Sequence, residues 1–189
     1  MLIQYIGYHF CFQMSTFAIE NRQIAWYNYI KNQKVKIMLR ILFVCHGNIC
    51  RSPMAEFVFK RLVEESGEGE NFEIASRATS AEELGNPVYP PAKRELMRHG
   101  IDSAGKFSIQ LTRSDYDKYD MLIGMDRANI RNMHRLFGGD PKGKISMLMD
   151  HTDRGGEVDD PWYSGNFEAT YRDVFAGCSA LFEKLKKEI

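Results

Sequence analysis

Residues 39–53 read LRILFVCHGNICRSP, a largely apolar run followed by a short loop and the start of a helix. The run Leu39–Cys45 predicts a buried strand of a parallel sheet, because such strands are covered on both faces. Gly47 predicts a turn directly after the strand. Ser52 and Pro53 are typical of a helix start, with Ser52 as N-cap and Pro53 as the first helical residue. The stretch therefore predicts a strand, a tight loop and a helix in succession.

The rest of the chain alternates strand and helix patterns. Further strands are predicted at 72–76, 119–125 and 144–149, and helices at 91–99, 127–137 and from Phe167 onward. The last helix is predicted to turn one apolar face to the core, formed by Phe167, Tyr171, Val174, Phe175, Cys178, Leu181, Phe182 and Leu185. Strands that alternate with helices form right-handed βαβ units. We therefore predict an α/β fold, a three-layer αβα sandwich around a four-stranded parallel sheet.

The loop between Cys45 and Arg51 has the composition of a phosphate-binding site. Ligands of parallel sheets bind beyond the carboxyl ends of the strands, and this loop follows such an end. A loop turning from strand to helix points backbone N–H groups inward, and the helix adds the positive end of its dipole. The Arg51 guanidinium matches two phosphoryl oxygens. These donors favour the thiolate form of Cys45, the predicted nucleophile toward a bound phosphorus atom.

The other loop residues are predicted to bind the phosphate or to support the loop. They are His46, Gly47, Asn48, Ile49, Cys50 and Ser52. A competing interpretation is a buried cysteine at a chance spacing from an arginine. A zinc site is disfavoured, because the two loop cysteines have no second Cys or His pair at ligand spacing. The loop also lacks the Gly-Lys-Ser/Thr of a nucleotide-binding loop.

The loop sequence VCHGNICRSP resembles that of the low-molecular-weight protein tyrosine phosphatases, and the resemblance covers about residues 38–189. A second motif of that family is present in the last long loop, where the chain reads DPWY. The resemblance implies that Asp160 is the general acid, which must protonate an expelled phenolate. It also implies that Trp162 and Tyr163 wall the substrate pocket. Asp159 is the competing choice of acid, but the family takes the Asp directly before Pro.

Further site residues follow from the resemblance. Asn48 corresponds to the residue that braces the loop, and Ser76 corresponds to its partner on the second strand. Asp126 corresponds to a family Asp near the loop, although an N-cap of the following helix explains it equally well. Glu82 stands where animal members often have an aromatic pocket wall. Lys106, after Gly105, stands near a position where the family often has His, which predicts an altered supporting network.

The sequence thus predicts a protein tyrosine phosphatase that hydrolyses phosphotyrosine through a phosphocysteine intermediate. The expected substrate is a phosphotyrosyl protein or a small aryl phosphate. No metal or other cofactor is predicted, because Arg51 and the loop neutralise the phosphoryl charge. A protein arginine phosphatase is the first alternative, although those enzymes typically have Thr at the position of Ile49. An arsenate reductase needs a further cysteine pair, and this chain has only Cys178 after the loop. A binding module without turnover is disfavoured by the intact Cys45 and Asp160.

Length and composition set outer limits on these predictions. The chain has 189 residues, 44% of them hydrophobic, with 25 basic and 25 acidic side chains. A net charge of zero provides no field to attract nucleic acid or anionic lipid, so neither is predicted as a partner. No apolar run approaches the length of a membrane span. Four scattered cysteines are not a disulfide framework, which predicts a reducing compartment, the cytoplasm. We expect a monomer.

The first 37 residues differ from the rest of the chain. Residues 1–37 carry four basic side chains and one acidic, and they hold eight of the 23 aromatic residues. They contain no motif, and their apolar residues have a poor helical period. We predict an N-terminal extension followed by a phosphatase domain at 38–189. The extension is either a docked segment or the product of an upstream start, and the poor period favours the second.

Overall fold

The structure, a computed structural model, describes residues 38–187. The strands are β1 (Leu39–Cys45), β2 (Phe72–Ala78), β3 (Met121–Gly124) and β4 (Ile145–Met147). The α-helices are α1 (Arg51–Glu65), α2 (Pro90–Arg98), α3 (Asp115–Lys118), α4 (Arg127–Phe137), α5 (Pro161–Ser164) and α6 (Phe167–Leu185). Two 3-10 helices span Gly69–Asn71 and Leu148–His151.

The four strands are parallel and lie in the order β2-β1-β3-β4. β1 pairs with β2 along its whole length, from Leu39 opposite Phe72 to Cys45 opposite Ala78. On its other side β1 pairs with β3, beginning with Ile41 opposite Met121. β1 is therefore a central strand, which is why its apolar run is almost continuous. All four carboxyl ends lie at one edge of the sheet, and Cys45 is at that edge.

Successive side chains of β1 enter two different cores, as the two faces of a strand require. Ile41 and Phe43 belong to the core formed with α1, α2 and α6. Leu42 and Val44 belong to the second core, which includes Met133 of α4. The sheet thus has helices on both faces. This arrangement confirms the predicted three-layer αβα sandwich with a four-stranded parallel sheet.

The start of α1 differs from the sequence prediction. The helix begins at Arg51 with Cys50 at the N-cap position, whereas Ser52 was predicted as the cap and Pro53 as the first helical residue. The reason is that the Ser52 hydroxyl donates to the Cys45 Sγ, so it does not cap the helix. The helix therefore starts at Arg51, two residues earlier than predicted.

Three further predictions need correction. The predicted strand at 144–149 is only Ile145–Met147, because the Asp150 carboxylate accepts the Met147 N–H and the chain turns into a 3-10 helix. Phe175 is 45% exposed, since it lies at the edge of the apolar face of α6. The helix α3 was not predicted; the Asp115 carboxylate holds it by accepting the Thr112 N–H at 2.7 Å.

The predicted N-terminal extension, residues 1–37, lies outside the described residues. The domain boundary near Met38 therefore stays a prediction. Within residues 38–187, no helix is both long enough and apolar enough to cross a membrane.

Candidate active site

The site is built on the turn from β1 into α1. Cys45 ends the strand with only 3% of its surface exposed, and Arg51 begins the helix. Asn48, halfway along the loop, adopts a left-handed backbone conformation with φ of 55°. Asparagine tolerates this region better than most residues. The turn that results aims the Asn48 backbone N–H at the Cys45 Sγ, 3.2 Å away.

The Asn48 side chain fastens the loop to its surroundings. Its Nδ2 donates to the Ser52 Oγ at 2.9 Å and to the Ser76 Oγ at 2.7 Å. Its Oδ1 accepts the backbone N–H of Ile109 at 3.1 Å. Three separate segments are thereby tied to one buried side chain. The structure brings Asn48 and Ser76 together in the way that the sequence predicted.

The Cys45 Sγ accepts a second hydrogen bond, from the Ser52 Oγ at 3.0 Å. Ser52 is fully buried, so this hydroxyl does not exchange its partner with water. Two donors, one from the loop backbone and one from α1, therefore point at the sulfur. The sulfur also lies at the N-terminal end of α1, where the helix dipole favours negative charge.

Arg51 is 3% exposed and binds two carboxylates. Its Nη1 donates to the Asp126 Oδ2 at 2.6 Å, and its Nη2 donates to the Asp160 Oδ2 at 2.5 Å. Burial alone would lower the pKa of Arg51, but the charges of Cys45, Asp160 and Asp126 outweigh burial and raise that pKa. The guanidinium is therefore a fixed positive charge beside the thiol.

Asp126 fills both roles that the sequence left open. Its Oδ1 accepts the Asn129 N–H at 2.7 Å and caps α4, while its Oδ2 binds Arg51. One carboxylate thus links the helix after β3 to the loop after β1. The Arg51 fork is held in place by an element on the opposite side of the sheet from α1.

The structure distinguishes the two candidate acids by their direction. The Asp160 Oδ1 caps the short helix α5 by accepting the Trp162 N–H at 3.1 Å, and its Oδ2 faces Arg51. The neighbouring Asp159 is exposed, and its backbone carbonyl accepts from Thr170. Asp160 is therefore the member of the pair whose carboxylate reaches the loop.

A cleft of about 350 Å³ opens above the loop. Ile49, Trp162 and Tyr163 line its apolar part, and Glu82 and Glu83 line an acidic part. Of the predicted loop residues, His46, Gly47, Ile49 and Cys50 line the cleft, whereas Asn48 and Ser52 are buried and do not line it. Among residues 38–187, no cluster of three or more His, Cys, Asp or Glu side chains is arranged to hold a metal ion.

The rim of the cleft carries two pairs of side chains. The ring centroids of Trp162 and Tyr89 are 5.2 Å apart. This contact joins the short helix α5 to the segment that precedes α2. The His46 Nε2 lies 2.9 Å from the Glu82 Oε2, and both side chains are more than half exposed. This hydrogen bond lowers the pKa of Glu82. Where animal members often have an aromatic wall, this chain thus has the acidic residue predicted there, hydrogen-bonded to the loop through His46.

Cys50 is buried beneath the loop, 6% exposed. Burial, and next the charge of Cys45, raise the pKa of its thiol far above the ordinary range. Cys50 is therefore a neutral thiol in the same loop as Cys45. Cys178 is buried on α6, where its Sγ lies 3.6 Å from the Ala55 carbonyl oxygen, away from the cleft.

Sequence reasoning missed one residue that supports the site, Glu56 on α1, which is only 4% exposed. Its Oε2 accepts from the Ser76 Oγ at 2.6 Å and lies 3.0 Å from the Lys106 Nζ. A carboxylate amid the apolar residues of α1 was the available signal. Its distant partners were not visible in the local pattern.

A thiol, a buried arginine and an opposing carboxylate thus surround the loop that follows β1, which is the arrangement of a phosphatase site. The family model described as low molecular weight phosphotyrosine protein phosphatase matches residues 40–189. The chain belongs to this family, and the predicted enzyme class is confirmed at that level.

Named relatives agree with this assignment. The chain is 35% identical over 153 residues to the low molecular weight protein-tyrosine-phosphatase YfkJ of Bacillus subtilis, covering 80% of this chain and 98% of that protein. It is 36% identical over 149 residues to the human low molecular weight phosphotyrosine protein phosphatase, covering 76% and 94%. The crystal structure of YfkJ superposes with a TM-score of 0.78, covering 80% of this chain and 96% of that one. A Streptococcus pyogenes low molecular weight protein tyrosine phosphatase, SP-PTP, is 39% identical with a TM-score of 0.71, covering 78% and 93%.

Proposed function

We propose that the protein hydrolyses phosphotyrosine through a phosphocysteine intermediate. The observation that carries the proposal is the convergence of Cys45, Arg51 and Asp160 on one cleft. The sulfur accepts two hydrogen bonds, and the guanidinium is buried beside it. A stabilised thiolate beside a fixed positive charge is suited to attack a bound phosphoryl group.

In the first step the Cys45 Sγ attacks phosphorus, and the bond between phosphorus and the tyrosine oxygen breaks. Two phosphoryl oxygens bind the Arg51 fork and compete there with the Asp160 carboxyl group. Asp160, in its protonated form, is thereby released toward the leaving oxygen and gives it the proton. The products are a neutral tyrosine, a phosphocysteine and an Asp160 carboxylate.

In the second step a water molecule attacks phosphorus, and the bond between phosphorus and sulfur breaks. The Asp160 carboxylate takes the proton of the attacking water and returns to its acid form. The sulfur leaves as a thiolate, which the Ser52 hydroxyl stabilises by its hydrogen bond. Inorganic phosphate is released. In both steps Arg51 and the backbone N–H groups of the loop neutralise the phosphoryl charge, so the proposed mechanism needs no metal ion.

An aryl ester is the preferred substrate class because the cleft offers ring surfaces. Trp162 is 56% exposed and Tyr163 is 88% exposed, so both can contact a substrate ring. Phosphoarginine remains the first alternative, and Ile49 in the cleft wall disfavours it by having no hydroxyl group. Arsenate reduction is disfavoured because Cys178 is buried in α6. The proposed setting is a cytoplasmic monomer acting on phosphotyrosyl proteins or small aryl phosphates.

Parallel kinetics on a phosphotyrosyl and a phosphoarginyl peptide of the same sequence test the substrate. We expect kcat/KM to be higher for phosphotyrosine, and a preference for phosphoarginine would overturn the assignment. Cys45→Ser is expected to abolish turnover while phosphate or vanadate binding persists, because Arg51 and the loop remain. Hydrolysis by a verified Cys45→Ser protein would exclude the covalent intermediate.

A further inference from the structure

The segment 107–111 runs along the outer edge of β2, at the end of the sheet that carries the active site. The Ala78 N–H donates to the Ile109 carbonyl at 2.8 Å, and the Leu111 N–H donates to the Ala78 carbonyl at 2.8 Å. Ala78 and Gln110 thereby form a parallel bridge. Because β2 is the outermost of the four strands, this segment extends the sheet by one further extended piece of chain.

The inner side of this segment is fastened to the phosphate-binding loop. The Ser108 hydroxyl donates to the Gly47 carbonyl at 2.8 Å, and the Ile109 backbone N–H donates to the Asn48 Oδ1 at 3.1 Å. The Ser108 backbone also bonds with residues 85–86 through both its N–H and its carbonyl. Backbone groups and one buried hydroxyl therefore hold the segment beside the site, without help from its outward side chains.

The outward side chains of the segment are large and apolar. Successive side chains of an extended chain point to opposite sides, so Phe107 and Ile109 face away from the buried Ser108. Phe107 is 52% exposed and Ile109 is 47% exposed, and Leu84, just before the residues that pair with Ser108, is 44% exposed. Single exposed apolar residues are ordinary, but neighbouring ones indicate an interaction surface. Leu84, Phe107 and Ile109 are called the edge patch below.

We propose that the edge patch binds apolar side chains of a protein substrate, a few residues away from its phosphotyrosine. The inference rests on the proposed function, because it concerns the polypeptide that carries the phosphate. The patch is continuous with the cleft, since Glu83 lines the cleft and Leu84 is the next residue. A substrate chain that leaves the cleft on the β2 side therefore passes over the patch.

The spacing of the strands sets which substrate residues reach the patch. Neighbouring strands are about 4.8 Å apart, and the segment is two strand positions from β1, so it lies about 10 Å from the phosphate-binding loop. An extended peptide advances about 3.3 Å per residue. Residues about three to five positions from the phosphotyrosine are therefore the ones expected to contact the patch.

Charge favours a substrate over a second copy of this chain as the occupant. Glu82 and Glu83 line the cleft directly before the patch begins. A second copy that paired through the same patch would bring its own two carboxylates close to these, and like charges across an interface are unfavourable. A substrate with a basic residue next to its phosphotyrosine complements the two carboxylates and then presents its apolar residues to the patch.

Kinetics on matched phosphotyrosyl peptides test the patch in the full chain. Each peptide carries a lysine next to the phosphotyrosine. Leucines stand about three to five positions away on the N-terminal flank or on the C-terminal flank, and a third peptide has serines at all of these positions. On the flank that passes the patch, we expect leucines to raise the kcat/KM of wild type about tenfold over the serine peptide, mainly by lowering KM.

Phe107→Ser and Ile109→Ser remove the patch and leave the buried Ser108 in place. Each should reduce the leucine advantage about threefold, while kcat/KM for p-nitrophenyl phosphate and for the serine peptide stays within about twofold of wild type. That activity also shows that each variant is folded. Matched controls are Met97→Ser on α2 and Phe175→Ser on α6, which are 59% and 45% exposed and do not line the cleft. Both controls should keep the whole leucine advantage.

Leu84→Ser provides a second reading from the other segment of the patch, should the changes at Phe107 and Ile109 prevent folding. Equal kcat/KM of wild type for the leucine and serine peptides would overturn the proposal. So would a leucine advantage that persists in the folded patch variants. Dimerisation of wild type that the patch variants abolish, measured by sedimentation, would assign the patch to a second copy and would also overturn it.

Failure of the proposed function is recognised separately. A serine peptide that is not hydrolysed would show that phosphotyrosine is the wrong substrate. The leucine and serine flanks are then compared on phosphoarginyl peptides, because the leucine advantage is a ratio and does not depend on which phosphate ester or amide is cleaved.

Discussion

Asn48→Ala is expected to destabilise the fold by about 4 kcal/mol. The wild-type side chain makes three hydrogen bonds, to Ser52, Ser76 and the Ile109 N–H. Each is worth about 1 kcal/mol net, which gives about 3 kcal/mol in total. The backbone at this position has φ of 55°, a conformation that is about 1 kcal/mol less favourable for alanine than for asparagine, which gives about 4 kcal/mol.

Asn48→Gly separates the two contributions. It loses the same three hydrogen bonds, but glycine adopts a positive φ freely and gives up only about 1 kcal/mol of additional backbone entropy. Because relief of the asparagine strain offsets that entropy, the expected destabilisation is about 3 kcal/mol, about 1 kcal/mol less than for Asn48→Ala. Urea unfolding measures the loss of stability in both variants, provided that their m values equal that of wild type. The kcat/KM should fall further in the alanine variant. A glycine variant within about 1 kcal/mol of wild type would refute the hydrogen-bond argument. Equal stability of the two variants would refute the strain argument.

Asp160→Ala is expected to lower kcat by about 10² to 10⁴ for phosphotyrosine and far less for an aryl phosphate with a good leaving group, with Asp159→Ala near wild type. The reverse pattern would assign the acid to Asp159. After peroxide and then dithiothreitol, Cys50→Ser should recover less activity than wild type, because a nearby thiol traps the sulfenic acid as a reducible disulfide; equal recovery leaves Cys50 a packing residue. The pKa of Glu56 is lowered in the folded state, so its stabilising effect is complete above about pH 4.5 and is lost as the pH falls further. Urea titrations should therefore show that acid reduces the unfolding free energy of wild type more than that of Glu56→Gln. A chain beginning at Met38 should fold and retain kcat/KM, and a loss beyond about tenfold would show that the preceding segment is part of the enzyme.

The parts of the molecule that were predicted well are those whose determinants are adjacent in sequence. The strand Leu39–Cys45 and the loop after it are one continuous stretch, and its apolar run and donor spacing are visible without the fold. The helix α4 ends at a glycine, as predicted, because Gly138 adopts the left-handed conformation that closes a helix.

The parts that were missed depend on contacts between distant segments. Glu56 and Lys106 are 50 positions apart, and a helical carboxylate beside Lys60 reads locally as an exposed pair. Ser52 was predicted as a cap by its type, but the nearby sulfur competed for its hydroxyl. Phe175 fits the helical period of α6 and still lies 45% exposed, because period alone does not fix the width of the covered face.

The contact between Trp162 and Tyr89 at the rim has a practical consequence for spectroscopy. The chain contains two tryptophans, Trp26 and Trp162, so a protein that begins at Met38 retains a single indole. That indole is half exposed and lies beside the opening of the cleft. Its emission colour and intensity depend on how much water surrounds it, and an aromatic ligand in the cleft displaces that water. A protein that begins at Met38 therefore carries one indole fluorophore, Trp162, whose emission is expected to report occupancy of the cleft without turnover.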